Sequence, residues 1–113
     1  MRTDASSITY RPLTRDDVPA ALALWKRSPG VGLSSADEPE ALARFLDRNA
    51  GFCFGAFAGT RLVGTVLCGT DGRRGYIYHL AVDEASRRNG AGRHLVELVL
   101  EAAGHAGIGR CHA

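Results

Sequence analysis

Seven consecutive residues, Arg87-Arg88-Asn89-Gly90-Ala91-Gly92-Arg93, set two glycines among three arginines just ahead of a long amphipathic pattern. Glycines let a ligand approach the main chain closely and turn successive N–H groups toward it. A helix N-terminus adds donors that have no intrahelical partner, and about half a positive charge. Arginines supply charge-assisted donors around the same point. The combination reads as an anion cradle, and a diphosphate matches it better than a single carboxylate. Read more plainly, the glycines turn the chain and the arginines are solvated surface. The strand signal before the loop and the helix signal after it favour the cradle.

Two familiar phosphate loops do not fit. A Walker loop needs GxxxxGK[ST], and Lys26, the only lysine, lies far upstream. A dinucleotide fingerprint needs a third glycine where Leu95 stands, and an acidic residue ending a second strand about twenty residues on. NAD and ATP are poor ligands for this loop. His94, His105 and His112 lack the spacing or carboxylate partner of a metal site, so no metal is expected.

The loop needs a frame to hold it. Ile8 to Leu13 reads as a short strand, and Thr14-Arg15-Asp16-Asp17 then has the form of a capping box, with Asp17 in place of Glu or Gln. Val18, Ala21, Leu22 and Trp25 share one face of the helix that follows, and Pro29-Gly30 ends it. Pro39 suits the first turn of a shorter helix carrying Leu42, Phe45 and Leu46, stopped by Asn49 and Gly51. The period then changes to two. Runs from Phe52 to Phe57, Leu62 to Leu67 and Tyr76 to Val82 read as three antiparallel strands, with turns at Ala58 to Arg61 and Asp71 to Arg74.

After a polar loop from Asp83 to Asn89, Leu95, Val96, Val99, Ala102, Ala103 and Ala106 mark one face of a long helix. Gly107 closes it, and Ile108 to Ala113 opens a further strand. The expected fold is α/β (α+β): a mixed, mainly antiparallel sheet flanked by helices, in the order β-α-α-β-β-β-α-β.

With 113 residues and 45% hydrophobic content, a single domain over 1–113 is expected. Fourteen basic against 12 acidic side chains give a net charge of +2, too balanced for a general polyanion binder, and few aromatics are placed to stack on bases. No nucleic-acid partner is expected. Cys53, Cys68 and Cys111 form neither a zinc pattern nor a disulfide framework and read as reduced thiols of a cytoplasmic protein. MRTDASSITYRPL has no apolar h-region, and no run approaches the roughly 18 apolar residues of a membrane span.

Leu80-Ala81-Val82-Asp83 followed by Arg87-Arg88-Asn89-Gly90-Ala91-Gly92 resembles motif A of the GNAT acetyltransferase superfamily, Q/R-x-x-G-x-G/A. The order of elements is similar along the whole chain. The resemblance implies acetyl-coenzyme A as co-substrate and transfer of its acetyl group to a primary amine of a small molecule or protein, by direct attack on the thioester. It implies that the pantetheine arm pairs along Leu80, Ala81 and Val82 like an added strand, with the Leu80 N–H polarising the acetyl carbonyl. Arg87, Arg88, Asn89, Gly90, Ala91, Gly92 and Arg93 would hold the pyrophosphate. Glu84 and Ser86 depart from the commoner proline and aromatic of this loop.

An amine of the lysine type is neutral in only about one molecule in 2,500 at pH 7, so supplying it in free form costs about 4.6 kcal/mol. Members of the family often carry a Glu or His on this strand for that proton. Strict alternation puts Tyr76 and Tyr78 on the site face, in the parity of Leu80, with Ile77 and His79 on the other. Tyr76 and Tyr78 are thus the expected residues on the catalytic side, lining an acceptor pocket or ordering a water; they suit half-buried sheet positions equally well. Histidine has the better chemistry, but His79 has the wrong parity. Asp37, Glu38 and Glu40 are expected to cap the second helix and face solvent rather than to attract an amine.

The family normally continues through another helix and two closing strands, so the resemblance implies a chain truncated at its C-terminus, of low activity alone and prone to self-association as a homodimer or strand-exchanged oligomer. A non-catalytic acyl-CoA-binding remnant is the alternative reading.

Overall fold

The computed structural model describes residues 8–28 and 30–112, without the side chains of Ala36 and Arg88. The expectations resting on residues 1–7, Pro29 and Ala113 lie outside these. β1 (Ile8–Pro12), α1 (Val18–Lys26), α2 (Pro39–Arg48), β2 (Phe54–Ala58), β3 (Arg61–Thr70), β4 (Arg74–Val82), α3 (Ala91–His105) and β5 (Arg110–His112) follow the expected order. The polar loop after β4 is more regular than its composition suggests: Glu84–Asn89 forms a 3-10 helix. The sheet has the order β1-β2-β3-β4-β5. The first four strands pair antiparallel, and β5 joins β4 in parallel because α3 carries the chain across between them.

The entry to α1 is fixed by Asp17. Its carboxylate accepts the Thr14 N–H at 2.9 Å and both Arg11 guanidinium donors at 2.9 Å. Burial pushes this carboxyl up, but the Arg11 and Thr14 hydrogen bonds outweigh it and hold the group below its usual range. α1 and α2 then cover one sheet face with Leu24, Trp25, Leu42 and Leu46, while α3 covers the other with Ala91, Leu95 and Val99. β3 lies between the two layers and is buried on both sides. Gly64 permits this, since a Cβ there would stand 3.2 Å from Leu95 Cδ1 and 3.3 Å from Ala56 Cβ.

β4 departs from strict alternation. Leu67 faces Tyr78 and Thr65 faces Ala81, so two β4 residues, His79 and Leu80, oppose the single Val66 of β3. His79 absorbs the extra residue at φ 49°, a left-handed conformation that histidine tolerates better than most side chains. A buried hydrogen-bond chain holds it there. The Trp25 indole N–H donates to Thr65 Oγ1 at 2.8 Å, and the Thr65 hydroxyl donates to the His79 carbonyl at 2.9 Å. The bulge turns the His79 side chain onto the same face as Tyr78, which corrects the parity expected from alternation.

Thr65→Val keeps the shape but leaves the indole N–H buried without an acceptor. It is expected to cost about 1–3 kcal/mol in urea unfolding, and Thr65→Ser, which keeps the hydroxyl, less. Equal stability of Thr65→Val and wild type would show that this chain does not hold the bulge.

Candidate functional site

β4 runs from its pairing with β5 at one end to the first turn of α3 at the other. β5 pairs only with Arg74, Gly75 and Tyr76, so among the described residues no strand covers that edge of β4 from Ile77 to Val82. At the end of β4, Asp83 anchors the loop that follows. Its N–H donates to the Val63 carbonyl at 2.7 Å, and its carboxylate receives Arg27 at 3.1 Å and Arg61 at 3.1 Å.

Gly90 follows the 3-10 turn at φ 75°. The first i→i−4 bond of α3 then runs from the His94 N–H to the Gly90 carbonyl, at 3.0 Å. The N–H groups of Gly90, Ala91, Gly92 and Arg93 precede that bond and form the helix's donor-bearing end. A Cβ on Gly90 would meet nothing within 4 Å, and one on Gly92 only Val82 Cγ2 at 3.7 Å, an ordinary contact. Packing inside the protein therefore does not require glycine at 92, whereas close approach of a ligand to these amides would. An open, donor-bearing helix start of this kind suits an anion.

Arg87 and Arg93 are exposed and make no ion pair among the described residues; the side chain of Arg88 lies outside them. Arg87 Nε donates to the Val82 carbonyl at 2.9 Å, so that oxygen already carries one donor and the guanidinium is held beside the strand end. A cavity of about 430 Å³ opens here, lined by Arg27, Ser28, Val82, Asp83, Glu84 and Arg87. Asn89 is exposed and Ala91 buried against the sheet.

A second cavity, of about 400 Å³, lies against the bulge, where α2 meets β3 and β4. His79 Nε2 and Asp37 Oδ1, both in its wall, are hydrogen-bonded to each other at 2.9 Å. The His79 ring sits edge-on to Trp25, with centroids 4.6 Å apart. Asp37, placed by the 3-10 turn Ser35–Asp37, accepts the Ser34 N–H at 3.0 Å on its other oxygen. Glu38 and Glu40 are exposed as expected, but Asp37 is not a solvated cap. Its part in the cavity has no signal in the sequence, because 42 residues separate it from His79.

Tyr78 lines this cavity with its ring edge toward Phe45. Tyr76 is not among the lining residues; it stacks on His112 at the β4–β5 pairing, with centroids 5.5 Å apart. Leu80 is exposed on the bulge, while Ala81 and Val82 are buried. Cys53 and Cys68 are buried thiols held in the protonated form. Burial pushes Cys53 up to about 12 and Cys68 up as well.

A sequence model described as the Acetyltransferase (GNAT) family matches residues 18–113. The chain belongs to the GNAT acetyltransferase family. It is similar to N-alpha-acetyltransferase 30 of Xenopus laevis and of Homo sapiens, 46% identical over 55 residues in each case, covering 44% of this chain. The match spans 20% of the first relative's length and 15% of the second's. Among solved structures, it resembles the paiA N-acetyltransferase of Thermoplasma acidophilum in complex with coenzyme A. The TM-score is 0.79 and the identity 18%, with coverage of 90% of this chain and 75% of that one. Ard1 of Thermoplasma volcanium gives a TM-score of 0.77 at 16% identity, with 90% and 67% coverage. An aminoglycoside acetyltransferase from an uncultured soil metagenomic sample, in complex with sisomicin, gives 0.75 at 20%, with 96% and 78% coverage. These likenesses establish the GNAT fold, a mixed α/β sheet flanked by helices.

If the α3 N-terminus grips a diphosphate, Gly90→Glu should abolish coenzyme A binding in calorimetry, by bulk and charge at a position now open. Arg93→Ala should weaken it by less. Equal binding by wild type and Gly90→Glu would remove the cradle assignment.

Proposed function

We propose that the protein is an acetyl-CoA-dependent N-acetyltransferase acting on a primary amine of a small molecule or protein. One observation carries the reading: the edge of β4 left open among the described residues joins a helix N-terminus, flanked by arginines that make no ion pair among those residues, to a cavity holding an imidazole and a carboxylate. Bound acetyl-coenzyme A would supply the acetyl group as an activated thioester. Gly90, Ala91, Gly92 and Arg93 would hold its diphosphate through main-chain donors, with Arg87, Arg88 and Asn89 around them. Leu80, Ala81 and Val82 would lie along the pantetheine, the Leu80 N–H aimed at the acetyl carbonyl.

The acceptor amine would enter the second cavity, where His79 takes its proton as attack proceeds. Asp37, bonded to His79, fixes the ring's orientation and stabilises the charge it gains. Tyr78 would line the entrance and order the amine or a water. Tyr76, farther along the strand, would act through such a water. The alternative of a non-catalytic acyl-CoA-binding remnant requires that no residue handle the proton, and His79 with Asp37 answers that need. The setting that suits three free thiols, Cys53, Cys68 and Cys111, is the cytoplasm. Among the described residues, no helix is long and apolar enough to cross a membrane.

The test is release of coenzyme A thiol with simple amines. His79→Asn retains a residue that tolerates the bulge conformation and removes the base, so kcat should fall about 100-fold or more while coenzyme A still binds. The deficit should shrink as pH rises toward the amine's own pKa, about 10.4, because solvent then supplies the neutral amine. An unchanged kcat would remove His79 from the reaction.

A further inference from the structure

We infer that the acceptor is a primary amine whose remainder is apolar and bears no second positive charge; this rests on the transferase reading above. The walls of the cavity beside His79 come from Leu42 and Phe45 of α2, Leu67 of β3 and the Tyr78 ring of β4. Leu42 and Leu67 are 1% and 4% exposed, so the floor is core. Among the described lining residues, Asp37 is the sole carboxylate, and both its oxygens are engaged, one by His79 and the other by the Ser34 N–H.

An acceptor amine that gives its proton to His79 needs no lasting counter-charge. A second ammonium on the same molecule would meet mainly apolar walls, and among the described lining residues the one carboxylate, Asp37, is already bonded on each oxygen, so the lost hydration would be poorly repaid. Polyamines and other polycations are therefore excluded by desolvation rather than by size. An alkyl or aryl substituent gains by displacing water from Leu42, Phe45 and Leu67. The volume of about 400 Å³ admits a group the size of a leucine or phenylalanine side chain. Such an amine could be free or could be the first residue of a peptide, and the chemistry at the cavity is the same.

The experiment measures kcat/KM on the full chain with acetyl-CoA, by thiol release, for three sets of acceptors. These are linear monoamines from propyl to hexyl, diamines of matching length, and short peptides beginning with leucine or lysine. The monoamine series should rise about three- to tenfold per methylene until the cavity is full. Each monoamine should exceed its matched diamine by about tenfold or more. Leucine-first peptides outrunning the free amines would assign the acceptor to peptide chains, and the reverse order to free amines.

Phe45→Glu places a carboxylate in the wall and should lower or invert the monoamine-to-diamine ratio. If that variant does not fold, as judged by lost coenzyme A binding, the wild-type ratio still decides. Diamines used as well as monoamines would overturn this inference and leave the transferase reading standing. A protein that binds coenzyme A and turns over no amine would overturn both.

Discussion

The buried run from the Trp25 indole through the Thr65 hydroxyl to the His79 carbonyl fixes what the rest of the site can be. Its first two members are at the core, Trp25 at 1% and Thr65 at 0% exposure, and His79 is half-buried. A polar group there must find a partner, and these find one another, so the arrangement is strongly determined. The bond to the His79 carbonyl secures a bulge that a regular ladder would straighten out. Without it, alternation would return His79 to the α3 side and leave the cavity by Phe45 and Tyr78 without a basic group. One indole donor on α1 therefore sets the chemistry of a residue 54 positions away.

The other end of β4 uses charge instead of burial. Asp83 gathers Arg27 from just past the end of α1 and Arg61 from β3, and so ties the start of the loop before α3 to two segments that precede it in the chain. Exposed pairs of this kind each contribute little, but Asp83 is only 16% exposed in its side chain and receives both. Arg87 and Arg93, beside the helix N-terminus, make no such pair among the described residues. This matters for an anion site: a guanidinium already neutralised by a carboxylate offers a phosphate little, and Arg87 and Arg93 are not so neutralised among the described residues.

Most of the frame could be read in the residues, because its signals are local. The capping position of Asp17, Pro39 in the first turn of α2, the apolar face of α3 and the positive φ of Gly107 each depend on neighbours within a few positions. The loop and helix start proposed as the cradle were legible for the same reason, being a local turn with its own helix. The acceptor side was not. A bulge leaves no mark in a period-two pattern until the partner strand is known, and one inserted residue changes the face of everything beyond it. Tyr78 kept its expected face because it precedes the bulge, whereas His79 changed sides. Asp37 read as a helix-capping acid, and it does accept the Ser34 N–H; its second oxygen is what reaches the site.

Placing one strand between two sites explains why its irregularity is worth its backbone strain. In the proposed reading the diphosphate lies at the end of β4, where α3 begins, and the acceptor lies in the cavity where α2 meets β3 and β4. A straight β4 would present either tyrosine or histidine to the acceptor, never both. With the extra residue, Tyr78 and His79 share the cavity while Leu80 is turned outward on the exposed edge, beside the backbone that a pantetheine arm would follow. A left-handed residue costs of order 1–3 kcal/mol, a modest charge against the roughly 4.6 kcal/mol needed to free an ammonium of its proton at pH 7. In the proposed mechanism the strain thus falls where it would bring a base to the amine and leave the edge of β4 beyond Tyr76 open for the cofactor.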